Sequence, residues 1–375
     1  MKIAKFLALL CGVATLVACE TTPVDDVPLP EGGSLLLSVD TNIVKLGDGV
    51  KFTVIQEGVD VTSSSDLHIY DQNMVEVSAN YTPSATGGYS FFATRGAESS
   101  NRVRLTVMTV VPEAPAAPEA GELFKHRVMI LDVTGNQCYP CTMMMTDLYT
   151  FAQTEWHDYY NEVTCHAGGL TRNDPANSPA ADVLERYVGP DGYPYVTINF
   201  YGGRLGTNGN PQYFVQQASA ALKRVVKKYE QGGANVGIAI NSVAEGTSVY
   251  SRVAITAAVE AEYKVTAWLL ENNIMGNQTG ATEDHQKVYN HAVRNIAGEY
   301  NSSNVLGESI GVLAAGQSYD TAFELPVINN SWNVNYMDVM VIVTAKNGQG
   351  RWEVVNTAVC PAKDGSRPYE YTPVE

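Results

Sequence analysis

The chain has 375 residues, 45% of them hydrophobic, which is enough apolar material for two or three domains. Its formal net charge of −16, from 24 basic and 40 acidic side chains, argues against nucleic acid as a partner and against electrostatic docking on anionic lipid. Two of the six cysteines lie within the first 19 residues, and the remaining four are too few for a disulfide scaffold in a chain of this length.

Residues 1–18 have the pattern of a secretory signal peptide, with two lysines ahead of an apolar run that is too short to cross a membrane. The Leu-Val-Ala-Cys sequence that ends at Cys19 resembles the lipobox of bacterial lipoproteins, and this resemblance implies that Cys19 becomes an acylated first residue. The alternative is an ordinary signal peptide that is cut nearby. Residues 19–33 are polar and contain proline, so they predict a tether. The lipid would then be the only membrane anchor.

Residues 34–110 alternate apolar and polar side chains between frequent turn residues. The pattern predicts a small immunoglobulin-like β-sandwich with strands at Leu35–Val39, Val50–Val54, Leu67–Tyr70, Tyr89–Ala93 and Val103–Val107. This unit is either a spacer or a binding module. Residues 111–121, with three prolines within seven positions, are typical of an extended linker.

A buried strand is predicted at Val128–Val133, followed by a break and by Cys138 and Cys141 as a C-x-x-C pair. Apolar residues at helical spacing from Thr142 to Trp156 place this pair at a helix N-terminus. Free backbone N–H groups and the helix dipole stabilise a thiolate at such a place. We therefore expect Cys138, at the open end of the helix, to be the attacking thiol and Cys141 to be the resolving one.

The order of strand, C-x-x-C with a proline before the second cysteine, and helix resembles the thioredoxin fold. Downstream, the sequence Gly-Tyr-Pro-Tyr-Val-Thr-Ile-Asn-Phe at residues 192–200 resembles the segment of that fold in which a cis-proline faces the cysteine pair. The resemblance implies that Pro194 is this cis-proline.

Six short motifs follow one another at Thr134–Cys141, Cys165–Gly168, Gly192–Pro194, Trp268–Glu271, Tyr289–Arg294 and Trp332. In this order they resemble the Omp-twenty-eight-related outer-membrane lipoproteins. The resemblance implies an outer-membrane lipoprotein that faces either the periplasm or the cell surface.

Residues 122–232 are predicted to form the central domain, with a parallel strand at Glu162–Cys165 and helices at Pro179–Tyr187 and Pro211–Tyr229. Residues 233–375 return to β character, and the insertion 271–315 interrupts them. The predicted fold class is therefore multidomain α+β, with an N-terminal immunoglobulin-like β-sandwich, a central thioredoxin-like α/β domain and a C-terminal β-sandwich.

The C-x-x-C pair fits three roles: an active redox pair, a static disulfide or part of a metal site. Zinc would need two more ligands, and Cys165 and His166 cannot easily both serve, because adjacent strand residues point to opposite faces. His166 is a candidate for proton transfer to the thiols or for a structural hydrogen bond. His285 and His291 are six residues apart, which matches no known ligand spacing. We expect no metal and no cofactor.

Two functions from different classes remain. The protein is either a thiol–disulfide oxidoreductase that acts on an envelope protein or peptide, or a non-enzymatic surface binding or structural protein in which the C-x-x-C pair is a static disulfide. The exposure of Cys138 distinguishes them. A sulfur open to solvent favours the first function, and a capped sulfur favours the second.

Overall fold

The computed structural model describes residues 34–298, 300–301 and 304–373, so the predicted signal peptide, the lipidation at Cys19 and the tether lie outside the described residues. The first ten strands are β1 (Leu35–Val39), β2 (Ile43–Lys45), β3 (Val50–Gln56), β4 (Val59–Asp60), β5 (Leu67–Asp71), β6 (Glu76–Val77), β7 (Asn80–Tyr81), β8 (Gly87–Arg95), β9 (Glu98–Ser99) and β10 (Val103–Met108). All five strands predicted for this region are present.

These ten strands form two sheets around one apolar core. One sheet has the order β1-β3-β4, with β7 also on β3, and the other has the order β2-β10-β8-β5-β6, with β9 on β8. In β3 the side chains of Val50, Phe52 and Val54 are buried, while those between them are not, as expected for a strand with one face on a core. The rings of Phe52 and Phe91 lie 4.8 Å apart between the sheets.

The remaining elements alternate at first between strands and helices and then become almost entirely β. They are β11 (Val128–Thr134), α1 (Cys141–Phe151), β12 (Tyr160–His166), α2 (Pro179–Val188), β13 (Tyr195–Ile198), β14 (Arg204–Leu205), α3 (Pro211–Val225), β15 (Val236–Glu245), β16 (Ser248–Ala257), β17 (Ala261–Glu271), β18 (Ile274–Met275), β19 (Val288–Tyr289), β20 (Ala292–Ile296), β21 (Glu308–Leu313), β22 (Ser318–Pro326), β23 (Met337–Lys346), β24 (Trp352–Pro361) and β25 (Gly365–Arg367).

The predicted fold class is wrong, because β11 to β14 do not form a sheet of their own. They belong to a nine-stranded sheet in the order β14-β13-β11-β12-β20-β17-β23-β24, with β21 also on β17. The junction is β20, which pairs in parallel with β12 at Thr164 and Ala292 and antiparallel with β17. No separate thioredoxin-like α/β domain therefore stands between two sandwiches; the described chain is mostly β, with three α-helices packed on one continuous sheet.

Alternate residues of the large sheet point into different cores. On one face, Val128 and Ile130 of β11 pack against α1 and α3, and Val265 of β17 packs against the four-stranded sheet β22-β16-β15-β25. On the other face, Met129 of β11 and Trp268 of β17 share a core with α2. The sheet therefore joins the cysteine-containing part of the chain to the C-terminal strands as one packed body.

The helix boundaries follow from their caps. The Ser178 hydroxyl accepts a hydrogen bond from the Ala181 amide at the start of α2, and Gly189 ends that helix in the left-handed conformation. Helix α3 ends at Val225, before the predicted Tyr229, because the chain turns extended at Val226 and the next amide donates to His126. Among the described residues, no helix combines the length and apolarity needed to cross a membrane.

Candidate functional site

The C-x-x-C pair lies in the turn between β11 and α1, as predicted. Cys138 and Cys141 form a disulfide with their Cα atoms 5.3 Å apart. The turn is held close to the 168–171 segment: the Gln137 amide donates to the Leu170 carbonyl at 3.0 Å, and a Cβ at Gly135 would lie 2.6 Å from that same oxygen. Glycine is therefore needed at position 135 for this approach.

The disulfide is buried. Cys138 is 2% exposed and Cys141 is 0% exposed, although Tyr139 between them is 64% exposed. The 276–286 segment of the insertion, here called the cover, packs against this turn. The Gln278 side-chain amide, itself 3% exposed, donates to the carbonyl oxygens of Gly135 at 3.1 Å and of Cys138 at 2.8 Å. The side chain of a residue 140 positions away in the sequence thus binds the turn that carries the two cysteines.

Further hydrogen bonds hold this cover in place. The Tyr289 hydroxyl donates to the Gln278 side-chain oxygen at 3.2 Å, and the Thr279 amide donates to the Asn136 carbonyl at 2.8 Å. On α1, the buried Gln286 amide donates to the Thr146 hydroxyl at 3.0 Å. The insertion is therefore anchored on both the turn and the helix that carry the cysteines.

His166 is buried and has a structural partner. Its Nδ1 lies 2.9 Å from Asp174 Oδ2, and its ring lies 4.4 Å from the ring of Tyr289. Burial raises the pKa of Asp174, but hydrogen bonds from His166 and from the amides of Ala176 and Asn136 outweigh this effect and the net pKa is lowered. The pair ties the 171–177 loop to β12, and the predicted role of His166 in proton transfer stays a prediction.

Pro194, Cys165 and Cys360 are the remaining residues that the sequence analysis left to be placed. The Tyr193–Pro194 bond is cis, as predicted; the Pro194 carbonyl accepts from Arg204 at 2.9 Å. Cys165 lies in the core on the opposite face of β12 from His166, and its thiol donates to the Ala181 carbonyl at 3.2 Å. Burial raises the pKa of Cys165 well above its usual value. Cys360 is also buried with a free thiol.

A cavity that the sequence did not reveal lies between α1, β11, β12 and the insertion. Its volume is about 260 Å³, and its floor is the polar face of the two strands, formed by Asp132, Thr134, Glu162, Thr164 and His166. A second cavity of about 250 Å³ adjoins it and shares Ala152, Glu162 and His291 in its wall. Asp338 lines this second cavity.

Two buried polar atoms in the first cavity have no hydrogen-bond partner within the part of the chain that the structure describes. They are Oδ1 of Asp132, a residue 1% exposed, and Oγ1 of Thr134, a residue 3% exposed. Burial, reinforced by the nearby carboxylate of Glu162, raises the pKa of Asp132 well above its usual value. Burial also raises the pKa of Glu162, and the nearby His291 opposes this rise.

Metal binding finds no support in this arrangement. Within the described ranges, no three or more His, Cys, Asp or Glu side chains converge as a metal site would require. The sequence carried one signal for the cavity, a carboxylate within each of two neighbouring strands, at Asp132 and Glu162. The sequence did not show which segment of the chain covers these two carboxylates.

The chain was compared with known proteins on three levels. Residues 181–363 match the model of the family described as outer membrane protein Omp28. Among solved structures, HBP35 of Porphyromonas gingivalis is similar, with a TM-score of 0.50 and 17% sequence identity over 67% of this chain and 79% of that one, a likeness that concerns the fold alone. A search of curated proteins finds no match. The resemblance predicted from the motifs is confirmed for residues 181–363, which match the Omp28 outer membrane protein family.

Proposed function

We propose that this protein is a lipid-anchored, non-enzymatic binding protein of the outer membrane in which Cys138–Cys141 is a structural disulfide. The observation that carries the proposal is the burial of Cys138, which is 2% exposed and whose carbonyl oxygen accepts a hydrogen bond from Gln278. Of the two functions that the sequence left open, a capped sulfur favours this one.

The physical reason for this assignment is that burial limits the access of an attacking thiolate to the sulfurs. Thiol–disulfide exchange begins when a thiolate reaches one sulfur of the bond in line, so its rate depends on how open that sulfur is. With Cys138 only 2% exposed, an attacking group reaches its sulfur only after local opening, and we expect the 276–286 segment, which Gln278 holds to the turn, to be the part that opens. A static disulfide instead gains from the cover, because burial keeps reductants away from it.

Exchange with an envelope protein through Cys138 is the competing function. The two are distinguished by trapping in the cells that make the protein. A Cys141→Ala variant of an exchange enzyme accumulates mixed disulfides through Cys138, and the Cys138→Ala variant does not. We expect neither variant to accumulate a mixed disulfide, and both to unfold at lower denaturant concentration than the native protein. Mixed disulfides specific to Cys141→Ala would contradict the proposal.

Anchoring through Cys19 is the second part of the proposal. It is supported by the Leu-Val-Ala-Cys sequence that ends at Cys19 and by the outer-membrane family. Replacing Cys19 by alanine should abolish lipid attachment and shift the protein from the outer-membrane fraction to the soluble fraction. A Cys19→Ala protein that stays equally membrane-bound and equally processed would show that the anchor lies elsewhere.

A further inference from the structure

From the two adjoining cavities we infer a binding site for a small aliphatic diamine or polyamine, held by the carboxylates of Asp132, Glu162 and Asp338. The inference rests on the proposed binding role and names the ligand class. The site is lined by residues of α1, of the polar face of β11 and β12, and of the insertion.

The carboxyl groups along the cavities point to a cationic ligand, whose charge would favour their ionised form over the protonated form that burial favours in its absence. Asp132 lines the first cavity, Asp338 lines the second, and Glu162 lines both. Neither Lys nor Arg is among the described residues that line them. Asp338 has a neutral partner, the Asn272 amide at 2.7 Å, while Oδ1 of the buried Asp132 has none in the described chain. Buried carboxylates are normally paired, so a ligand that supplies positive charge satisfies what the protein leaves open.

The shape and the remaining walls point to an extended organic cation. The carboxylates are distributed over two adjoining cavities, as the ammonium groups of a diamine are distributed along a methylene chain. The α1 side of the first cavity offers Leu148, Tyr149 and Ala152 as apolar contacts for those methylenes. Tyr149 is 55% exposed and stacks on His285, which also lines this cavity, with ring centroids 4.5 Å apart. Aromatic faces attract ammonium groups.

The size of the site agrees with a small ligand. A cavity of about 260 Å³ is below the roughly 300–1,000 Å³ of pockets for drug-sized molecules. The unpartnered hydroxyl of Thr134, which is neutral, adds a hydrogen-bonding position beside Asp132. An inorganic cation would instead need several ligands converging on one point, which the described residues do not offer.

The experiment is calorimetric titration of the purified full-length protein with diaminobutane at about 0.15 M salt, which screens general attraction to an acidic surface. We expect one molecule bound per chain. Butylamine, with one ammonium group, should bind at least tenfold more weakly, a difference of about 1.4 kcal/mol. Butanediol, of similar shape without charge, should not bind.

Variants assign the binding to the cavity. Asp132→Asn and Glu162→Gln should each weaken diaminobutane binding at least tenfold, whereas Glu155→Gln, the same loss of charge on an exposed residue, should leave it unchanged. Glu162 is less buried than Asp132, so its variant keeps the test valid if Asp132→Asn does not fold. The inference is overturned by the absence of diaminobutane binding at millimolar concentration, by equal weakening in Glu155→Gln, or by Mg²⁺ binding with the same variant dependence. None of these results would restore exchange chemistry at Cys138, which the trapping experiment tests separately.

Discussion

Gln278 is the residue whose removal should uncover the disulfide most directly. Its side chain makes three hydrogen bonds, to Gly135 at 3.1 Å, to Cys138 at 2.8 Å and with Tyr289 at 3.2 Å. At about 1 kcal/mol for each net hydrogen bond, Gln278→Ala should lower the free energy needed to open the cover by about 3 kcal/mol. Since each 1.4 kcal/mol is a factor of ten, the open population should rise on the order of a hundredfold.

The assay is the rate at which dithiothreitol reduces Cys138–Cys141 in the native protein, followed by trapping the new thiols with iodoacetamide. Gln278→Ala should be reduced about a hundredfold faster than the native protein. Gln137→Ala is the matched control, because it removes the same side-chain amide from an exposed position beside Cys138. It should be reduced at the native rate.

If Gln278→Ala is reduced no faster than the native protein, the 276–286 segment does not control access to the disulfide. If both variants are reduced faster by the same factor, the turn itself and not the cover decides the rate. Either result would refute the reasoning from burial.

Three further predictions concern buried groups. Arg294→Met should destabilise the fold by about 3–5 kcal/mol in urea unfolding, because it leaves the Glu271 carboxylate, 2.6 Å from Arg294 Nε, without a cation. The control Arg351→Met, in an exposed ion pair, should cost less than about 1 kcal/mol. Because burial raises the pKa of Asp132, the folded state holds a proton that the unfolded state has lost. Stability should therefore fall as pH rises above about 4, and Asp132→Asn should make this fall shallower. An identical pH slope in the variant would contradict that. Cys165, whose thiol pKa is raised by burial, should resist iodoacetamide until the protein is unfolded; alkylation in the native state would show the core to be open there.

Local patterns in the sequence predicted the strands, turns and helix starts that neighbouring residues specify. The apolar run at Val128–Val133 became β11, and C-x-x-C lies at the start of α1 because the turn and the helix are specified within a few residues. Pro179 and Pro211, each preceded by a capping side chain, mark the true starts of α2 and α3. The cis bond before Pro194 was also anticipated, from the family resemblance.

The sheet that joins these elements could not be predicted in the same way, because strand partners are chosen by packing between distant segments. Strand β20 is short and contains Arg294 and Asn295, both buried, which hid it within the insertion. Arg294 is tolerated there because Glu271 neutralises it, and the Asn295 amide donates to the Pro326 carbonyl at 2.7 Å. Each partner lies more than 20 residues away. Without β20, the strands near the cysteines looked like a separate domain.

The cover of the disulfide was hidden for the same reason. Gln278 lies 140 residues from Cys138, in a polar segment without regular periodicity. A C-x-x-C motif at a helix start predicts a reactive pair only if nothing covers it, and this condition belongs to the tertiary structure. The acidic cavity likewise required the insertion to lie against Asp132 and Glu162.

The central claim is that Cys138–Cys141 is a structural disulfide. The reduction potential of this pair, measured by equilibrating the folded full-length protein with glutathione or dithiothreitol buffers, tests it most directly. The burial of both sulfurs predicts a potential below about −300 mV, in the range of structural disulfides of exported proteins. A potential between about −120 and −270 mV, where disulfide exchange proteins lie, would contradict the account.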